Sequence, residues 1–440
     1  MSKSKRYLIS LIALSVSCLS APQSAAAEPE ILTVMSRNIY LGSDVGKALE
    51  LIPNLPAAAQ YMWDQVIQTD FKKRAKILAQ EINQSSADVI GIQEATIWYC
   101  QKYPWSKKIE VFNFTKQLLL ELNGKYRLAE KDGRVALNPG FSINPIPFLT
   151  RVEDENNFRK LFGSGTASCG FETGDALLIK NSSNLELIQV GTTEYEVSYS
   201  IVPKIMTIYR GYSWADISFN GFPIRFVTTH LESLWDENKI PNSAKQAKQL
   251  VDDLAKTTMP TVVMGDFNSD PRDPRPKDKP NPGEQPVESN NCPVNKSTCN
   301  AYKIMVEAGF VDAGPDSLDP KNYTWGMNAL LSGADPKRLA AAKLMGNQAG
   351  FTDRLDYIFT KNGLKTLDAQ VIGTKAKFGS DHAGVVAKIA LTTQSDQISE
   401  PLPSHSPFPI SFWQWVLILL ILIITFIFWR RDNKGIQKRS

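Results

Sequence analysis

Residues 261–268 read TVVMGDFN, an uninterrupted apolar run that stops at Gly265 and is followed at once by Asp266 and Asn268. A short, continuous apolar run is typical of a strand that is buried on both faces. Polar side chains directly after such a strand lie at the edge of the sheet, where α/β domains bind their ligands. The sequence therefore predicts a buried strand that carries a carboxylate and an amide to a functional edge.

Other short apolar runs within residues 31–391 also predict strands that begin or end at polar side chains. Amphipathic segments such as Phe71–Asn83 place apolar residues at helical spacing, but they separate only some of these runs. Strands without a helix in every gap favour a mixed sheet in an α/β domain. The predicted strands are Ile31–Met35, Val89–Ile92, Ala176–Ile179, Ile224–Thr228, Thr261–Met264, Leu355–Phe359 and Gly384–Ile389.

Three stretches between the strands predict inserted segments. Asn138–Pro147 and Asp270–Pro293 are rich in proline, which favours loops. Gly326–Gly350 is rich in alanine and predicts a short helix.

The histidines are the strongest sign that the strand ends carry chemistry. A single charged residue after a strand is usually the strand reaching water, and Asp266 with Asn268 could form an ordinary turn. The chain has three histidines, however, and two of them, His230 and His382, lie in strand-end motifs. We therefore expect a catalytic edge rather than scattered surface residues.

Taken in chain order, these motifs resemble the endonuclease/exonuclease/phosphatase superfamily, which includes deoxyribonuclease I, exonuclease III and bacterial sphingomyelinases. The resemblance covers roughly residues 31–391. It implies an α/β fold built as a four-layer α/β sandwich, in which two mixed β-sheets lie face to face and are flanked by helices. The motifs are Asn38, Gln93-Glu94, His230, Gly265-Asp266-Phe267-Asn268, Arg354-Leu355-Asp356 and Ser380-Asp381-His382.

The resemblance implies a divalent metal site. Asn38 and Glu94 are the implied ligands, with Asp381 as a third. Oxygen donors of this kind suit Mg²⁺ or Mn²⁺, either of which would neutralise charge on a phosphate ester and on its leaving group.

The resemblance also implies the catalytic residues. Asp266 would orient or deprotonate the attacking water, and Asn268 would hold that water or a phosphate oxygen. His382, backed by Asp356, and His230 would hydrogen-bond the scissile phosphate, with one of the histidines serving as general acid. The sequence does not decide which histidine donates the proton.

The resemblance implies two further sites. Tyr209 or Arg210, just before a strand-like segment, is predicted to bind phosphate, with a structural role as the alternative. A carboxylate that backs the first histidine is expected between residues 94 and 126, where Glu110 and Glu121 are candidates.

The two ends of the chain predict export and anchoring in a membrane. Residues 1–27 have the layout of a signal peptide, so residues 28–391 are expected on the extracytoplasmic side. Residues 392–409 are rich in proline and predict a tether. Residues 410–429 are long and apolar enough to span about 30 Å of hydrocarbon as one C-terminal transmembrane helix, and residues 430–440 form a basic cytoplasmic tail.

The net charge of +4 belongs to these ends. The first 27 residues carry +3 and the last 11 carry +4, which leaves residues 28–429 at −3. The basic balance therefore gives no support to a nucleic-acid substrate.

Cysteine usage agrees with export. Apart from Cys18 in the predicted signal peptide, the chain has Cys100, Cys169, Cys292 and Cys299. An even count in an exported protein predicts two disulfides with three possible pairings, of which we favour the local bridge between Cys292 and Cys299.

Three hypotheses for function remain open, because this fold family fixes phosphoesterase chemistry and leaves the alcohol open. The first is an exported, metal-dependent phosphodiesterase that acts as a nuclease on nucleic acid. The second is a sphingomyelinase or phospholipase C-like phosphodiesterase that acts on a phospholipid headgroup. The third is a catalytically inactive surface protein that uses the scaffold for binding. The sequence indicates no protein partner.

Overall fold

The structure is a computed structural model of the chain. It describes residues 30–103, 105–143, 150–152, 158–163, 165–202, 206–234, 236, 240–273 and 299–391. The predicted signal peptide at 1–27, tether at 392–409, transmembrane helix at 410–429 and tail at 430–440 lie outside these residues. Within the described ranges, no helix is both long enough and apolar enough to cross a membrane.

A mixed sheet of ten strands contains the N-terminal and C-terminal strands of the domain. Its central order is β19-β20-β1-β2-β10-β3-β4, and three further strands pair with β10. β1 and β2 are parallel, whereas β1 and β20 are antiparallel. The strands are β1 (Ile31–Asn38), β2 (Val89–Gln93), β3 (Ile97–Gln101), β4 (Ile109–Asn113), β5 (Tyr126–Leu128), β8 (Leu137–Ile143), β9 (Thr150–Arg151), β10 (Thr166–Lys180), β19 (Leu364–Ile372) and β20 (Gly384–Leu391).

A second mixed sheet has six strands in the order β11-β14-β15-β16-β18-β17. β15 and β16 are parallel, and the other neighbours are antiparallel. Its strands are β11 (Leu185–Glu194), β14 (Gly211–Phe219), β15 (Phe222–His230), β16 (Thr261–Asp266), β17 (Val311–Asp312) and β18 (Asp356–Lys361). Two small hairpins join β6 (Glu130–Lys131) to β7 (Arg134–Val135) and β12 (Tyr199–Val202) to β13 (Met206–Ile208).

The two sheets pack face to face with helices on both outer faces, which is the order of layers that the sequence predicts. One apolar core joins the sheets and includes Val34 and Val385 from the first sheet and Phe226 and Met264 from the second. Separate cores lie between each sheet and its helices. The helices are α1 (Val45–Glu50), α2 (Leu55–Thr69), α3 (Phe71–Ser85), α4 (Phe114–Glu121), α5 (Phe158–Phe162), α6 (Asn242–Leu254), α7 (Ala301–Glu307) and α8 (Pro336–Leu344), with a 3₁₀ turn at Pro320–Asn322.

Helix α3 shows how local sequence produces an element. Its N-cap residue Asp70 accepts a hydrogen bond from the Lys73 backbone N–H, which satisfies one of the free donors of the first turn. Ala75, Leu78 and Ile82 recur at helical spacing and are fully buried against the large sheet. The predicted helix at 71–83 is thus confirmed and extends two residues further.

The predictions for two inserted segments have different outcomes. The predicted loop at 138–147 is wrong over its first half, because residues 137–143 form β8, which pairs with β10 and buries Asn138. The predicted short helix within residues 326–350 is confirmed as α8. Of the proline-rich segment Asp270–Pro293, residues 274–293 lie outside the described residues.

Cys100 and Cys169 form a disulfide between β3 and β10, where the two residues are direct cross-strand partners. Cys299 is also disulfide-bonded. Cys292, its favoured partner, lies outside the described residues, so the local bridge stays a prediction.

Candidate active site

Three neighbouring strands of the second sheet align three of the predicted residues in one row. His230 is the last residue of β15 and pairs in register with Asp266, the last residue of β16. Asp266 in turn pairs with Asp356, the first residue of β18. The strand-end pattern in the sequence therefore places these side chains side by side at one edge.

The large sheet delivers the other predicted residues to the same edge. Asn38 ends β1, and Glu94 follows β2 with a left-handed backbone (φ 58°), which turns the chain out of the strand. Asp381 and His382 lie just before β20, the antiparallel neighbour of β1. Both sheets thus contribute residues to one cleft.

The cleft has a volume of about 600 Å³. Asn38 and Asp356 are fully buried and lie beneath its surface, within hydrogen-bond reach of residues that line it. The predicted residues that line it are Glu94, Arg210, His230, Asp266, Asn268, Asp381 and His382.

His382 is held as an imidazolium. Its Nδ1 donates to Asp356 Oδ2 at 2.8 Å, and its Nε2 lies 3.5 Å from Asp266 Oδ2. Burial lowers the pKa of His382, but the charges of Asp356, Asp266 and Asp381 outweigh it and raise the pKa from its ordinary 6.5 to about 10. This ring is therefore protonated on both nitrogens at neutral pH.

His230 is in the opposite state. Burial, together with the positive charges of Arg210 and His382, lowers its pKa well below 6.5. The Asn268 amide donates to Nε2 at 3.0 Å, so the single proton of the neutral ring lies on Nδ1, which is 4.0 Å from Glu94 Oε1. The site thus contains one charged and one neutral imidazole.

Asp266 lies between the two histidines. The same carboxylate oxygen, Oδ2, is 3.5 Å from Nε2 of His230 and 3.5 Å from Nε2 of His382. Its pKa is raised by burial, lowered by the charge of His382 and raised by Asp356, and the result is about 7. A carboxylate with a pKa near neutrality suits a group that exchanges a proton during the reaction.

Two asparagines fix the position of this carboxylate. Asn38 Nδ2 donates to Asp266 Oδ2 at 3.1 Å, and the Asn268 backbone N–H donates to Oδ1 at 2.9 Å. Asn268 has a left-handed backbone (φ 45°), a conformation that asparagine tolerates better than most residues, and its amide also donates to the Leu231 carbonyl at 2.8 Å.

The predicted metal ligands lie around the same corner of the cleft. Asn38 Nδ2 donates to Glu94 Oε1 at 3.0 Å, so the amide nitrogen rather than the oxygen faces Glu94. The amide oxygen accepts from the Tyr40 N–H at 2.9 Å, and Asn38 can offer an oxygen ligand only after its amide rotates. Burial raises the pKa of Asp381, the charge of His382 lowers it and that of Glu94 raises it, with a result of about 6.

The carboxylates of Glu94 and Asp381 fit a divalent cation. Burial raises the pKa of Asp175, and the charges of Asp266 and Glu94 raise it further, so that it lies well above its ordinary value. The Oδ1 atom of Asp175 has no hydrogen-bond partner among the described residues. A cation bound by Glu94 and Asp381 would offset the negative charge of Glu94, which raises the pKa of both Asp175 and Asp381, and the oxygen donors of Glu94 and Asp381 suit Mg²⁺ or Mn²⁺.

Asp266, Asp356 and His382 also come close enough together to hold an ion, with donor atoms within 4.8 Å of one another. The chemistry of these donors argues against that use. The His382 imidazolium has no free lone pair, and it already bonds Asp356. This cluster is better described as a hydrogen-bonded acid–base group.

The structure separates the two predicted phosphate-binding residues. Arg210 lines the cleft, and its Nε lies 3.2 Å from Oε2 of the buried Glu232. Tyr209 is 45% exposed and is not among the residues that line the cleft, and its role in phosphate binding stays a prediction. Neighbours along an extended chain point to opposite sides, and only one of the two can face the site.

The carboxylates beside His230 differ from the two candidates that were named from the sequence. Glu110 accepts a hydrogen bond from Asn113 on the exposed side of β4, and Glu121 ends α4. Instead, the carboxylates of Glu94 and Asp266 lie next to the His230 ring, and Asp175 accepts the His230 backbone N–H at 3.1 Å.

Several supporting residues carry no obvious sequence signal. Asp175 lies inside the long strand β10 rather than at a strand end. Buried Arg74 donates to the carbonyls of Ile39, at 2.7 Å, and Gly379, at 3.2 Å, and thus joins the segment after Asn38 to the segment before Asp381 and His382. The Thr324 hydroxyl accepts from the Asp356 N–H at 3.2 Å. Asp175 and Arg74 can be recognised only from the structure, which shows that their charged side chains are buried.

One family model matches part of this chain. Residues 193–382 match the model of the Endonuclease/Exonuclease/phosphatase family. No curated protein sequence matches the chain.

Solved structures with a similar chain course include an endonuclease/exonuclease/phosphatase family protein from Bacteroides thetaiotaomicron, at 15% identity and a TM-score of 0.44, covering 83% of this chain and 100% of its own. A mannosyl-6-phosphatase from the same species has 15% identity and a TM-score of 0.42, with 82% and 100% covered. A humanised TDP2 from D. rerio has 14% identity and a TM-score of 0.41, with 82% and 98% covered. The family match ends at His382 itself, so residues 193–382 of this chain are similar to the endonuclease/exonuclease/phosphatase family.

Proposed function

We propose that this protein is an exported, membrane-anchored, divalent-metal-dependent phosphodiesterase that hydrolyses its substrate by in-line attack of water, and that it acts as a nuclease. The observation that carries the proposal is the pair of histidines in opposite protonation states on either side of Asp266. Phosphodiester hydrolysis needs a base near the water and a charged donor near the phosphate, and this arrangement supplies both.

In the proposed mechanism Asp266 orients the attacking water and takes its proton. Its pKa of about 7 allows it to accept the proton near neutral pH, and Asn38 and Asn268 hold it in place. Asn268 would hold that water or a phosphate oxygen, and its amide fixes the neutral ring of His230 through Nε2.

His382 supplies the positive donor. Asp356 orients the ring and keeps it charged, so Nε2 can donate to an oxygen of the scissile phosphate and is the better placed of the two histidines to protonate the leaving oxygen. Glu94 and Asp381, with Asn38 after rotation of its amide, would hold Mg²⁺ or Mn²⁺. The ion would neutralise charge on the phosphate and the leaving group.

Export and anchoring rest on the ends of the sequence. The cationic, apolar and small-residue order of residues 1–27 supports secretion, and the apolar stretch at 410–429 followed by an arginine pair supports one membrane helix. The disulfide between Cys100 and Cys169 suits an oxidising compartment.

The test is hydrolysis of bis(p-nitrophenyl) phosphate by the purified protein. We expect turnover with Mg²⁺ or Mn²⁺ and none in EDTA. Absence of turnover with any divalent metal would refute the enzymatic proposal and favour a binding protein. Comparing plasmid DNA with sphingomyelin liposomes then separates a nuclease from a headgroup-specific phosphodiesterase.

A further inference from the structure

Arg338 lies in the wall of the cleft on α8, a helix in the alanine-rich insertion. Its guanidinium covers the face of Trp325, with Cζ 4.0 Å from the ring centre. The Trp325 ring centre is 6.4 Å from that of His382. Arg338 is therefore separated from a proposed catalytic group by a single aromatic side chain.

The guanidinium is held in place and is only partly neutralised. Its side chain is 16% exposed, and its Nε lies 3.4 Å from Asp335, a residue whose own side chain is 50% exposed. Among the described residues Arg338 makes one further side-chain hydrogen bond, from Nη1 to the Thr352 hydroxyl, and it is long at 3.4 Å. Burial lowers the pKa of Arg338, and neighbouring carboxylates, Asp353 first, raise it again without restoring its ordinary value. Such a desolvated, incompletely paired guanidinium favours an anionic partner.

A second arginine lines the same cleft with a different environment. Arg210 pairs with the buried carboxylate of Glu232 at 3.2 Å, whereas Asp335, which lies 3.4 Å from Arg338 Nε, is half exposed, and the buried Asp353 acts on Arg338 through its charge. A pair with an exposed carboxylate is weak and can be exchanged for a ligand at little cost. Of these two arginines, Arg338 is the one that is free to change partners.

We propose that Arg338, stacked on Trp325, forms a subsite for a second phosphate group of the substrate, one that is not the phosphate being hydrolysed. This inference rests on the proposed function and narrows its substrate class to esters that carry two or more phosphates, such as polynucleotides. A guanidinium suits this task because its planar fork can bind two phosphate oxygens at once.

The same geometry disfavours a choline headgroup. Quaternary ammonium groups are usually recognised by an open aromatic face, and here the guanidinium of Arg338 occupies the face of Trp325. The positive charge of Arg338 would also repel such a headgroup.

The experiment compares thymidine 3′,5′-bisphosphate with thymidine 5′-monophosphate, which differ by one phosphate. Binding is measured by titration calorimetry on the full-length protein in EDTA, where activity plays no part. The wild type should bind the bisphosphate roughly tenfold more tightly, and Arg338→Gln should remove most of that preference. Arg338→Lys should keep part of it, because the charge remains and the fork is lost.

Two matched variants complete the test. Lys337→Gln removes an exposed charge from the same helix and should leave the preference intact. Asp335→Asn keeps an N-cap for α8 but removes the carboxylate that competes for Arg338, and it should strengthen bisphosphate binding.

Equal affinities for the two nucleotides in the wild type, or an undiminished preference in folded Arg338→Gln and Arg338→Lys, would overturn the subsite. This result is independent of hydrolysis. A protein that shows the preference but does not cleave bis(p-nitrophenyl) phosphate would retain the subsite and lose the proposed function.

Discussion

His382 Nδ1 lies 2.8 Å from Asp356 Oδ2, and both side chains are buried. The two residues come from different sheets, since Asp356 begins β18 and His382 precedes β20. Contact between them therefore depends on the face-to-face packing of the sheets. The positive charge on the His382 imidazole therefore also depends on how the two sheets pack.

Replacing this carboxylate should disable the enzyme while leaving the ring in place. In Asp356→Asn the amide can still bond Nδ1, but the negative charge that raises the pKa of His382 is lost. We expect kcat on bis(p-nitrophenyl) phosphate to fall by about 10²- to 10⁴-fold. Asp368→Asn removes a carboxylate of an exposed ion pair with Lys388 and should have no such effect. Equal activity of the two variants would remove Asp356 from the mechanism.

The two histidines of the cleft should show opposite protonation states in an NMR titration of the metal-free protein. The raised pKa of His382, about 10, keeps its ring protonated as pH rises through 8.5, and the lowered pKa of His230 keeps its ring neutral as pH falls to about 6. Imidazole nitrogen shifts should therefore change little for either residue between these values. A histidine-containing model peptide supplies the comparison and should titrate near the ordinary value of about 6.5. A midpoint near 7 for either cleft histidine would contradict the proposed electrostatics.

The strand-end residues could be predicted from the sequence because a buried strand has a recognisable residue pattern. An apolar run that stops at a carboxylate or a histidine marks both the strand and its functional edge, as in the segment ending at Asp266. His230, Asp266 and Asp356 then fall into register through backbone pairing alone.

Residues that depend on tertiary packing could not be placed in this way. Asp175 lies in the middle of β10, and only the approach of the second sheet brings it to the His230 backbone. Arg338 lies on an inserted helix whose docking against Trp325 is not encoded in local periodicity. The same limit applies to the choice between Tyr209 and Arg210, because sequence alone does not fix which of two adjacent side chains faces the cleft.

The disulfide between Cys100 and Cys169 should contribute measurably to stability. It closes a separation of 69 residues and ties β3 to β10. Loops of this size correspond to about 2–4 kcal/mol of the free energy of unfolding. In a Cys292→Ala/Cys299→Ala background, dithiothreitol and the further changes Cys100→Ala/Cys169→Ala should lower the urea midpoint by similar amounts. A midpoint that dithiothreitol leaves unchanged would show that the bridge does not stabilise the fold.

Metal binding should depend on Glu94. Its carboxylate accepts from Asn38 at 3.0 Å and from the Leu41 N–H at 2.5 Å, so it is fixed at the cleft beside Asp381, whose pKa it raises. Glu94→Gln keeps the size of the side chain and removes the charge that a divalent cation requires. We expect Mn²⁺ affinity, followed by electron paramagnetic resonance of the free ion, to fall by more than about tenfold.

Glu110→Gln is the matched control, because Glu110 is exposed on β4 and does not line the cleft. It should bind Mn²⁺ as the wild type does. If Glu94→Gln also keeps wild-type affinity while losing activity, Glu94 acts on the catalytic groups instead, through its hydrogen bond to Asn38 and its position 4.0 Å from His230. If it keeps both affinity and activity, the metal lies elsewhere, and the excess of carboxylates in this cleft needs another explanation.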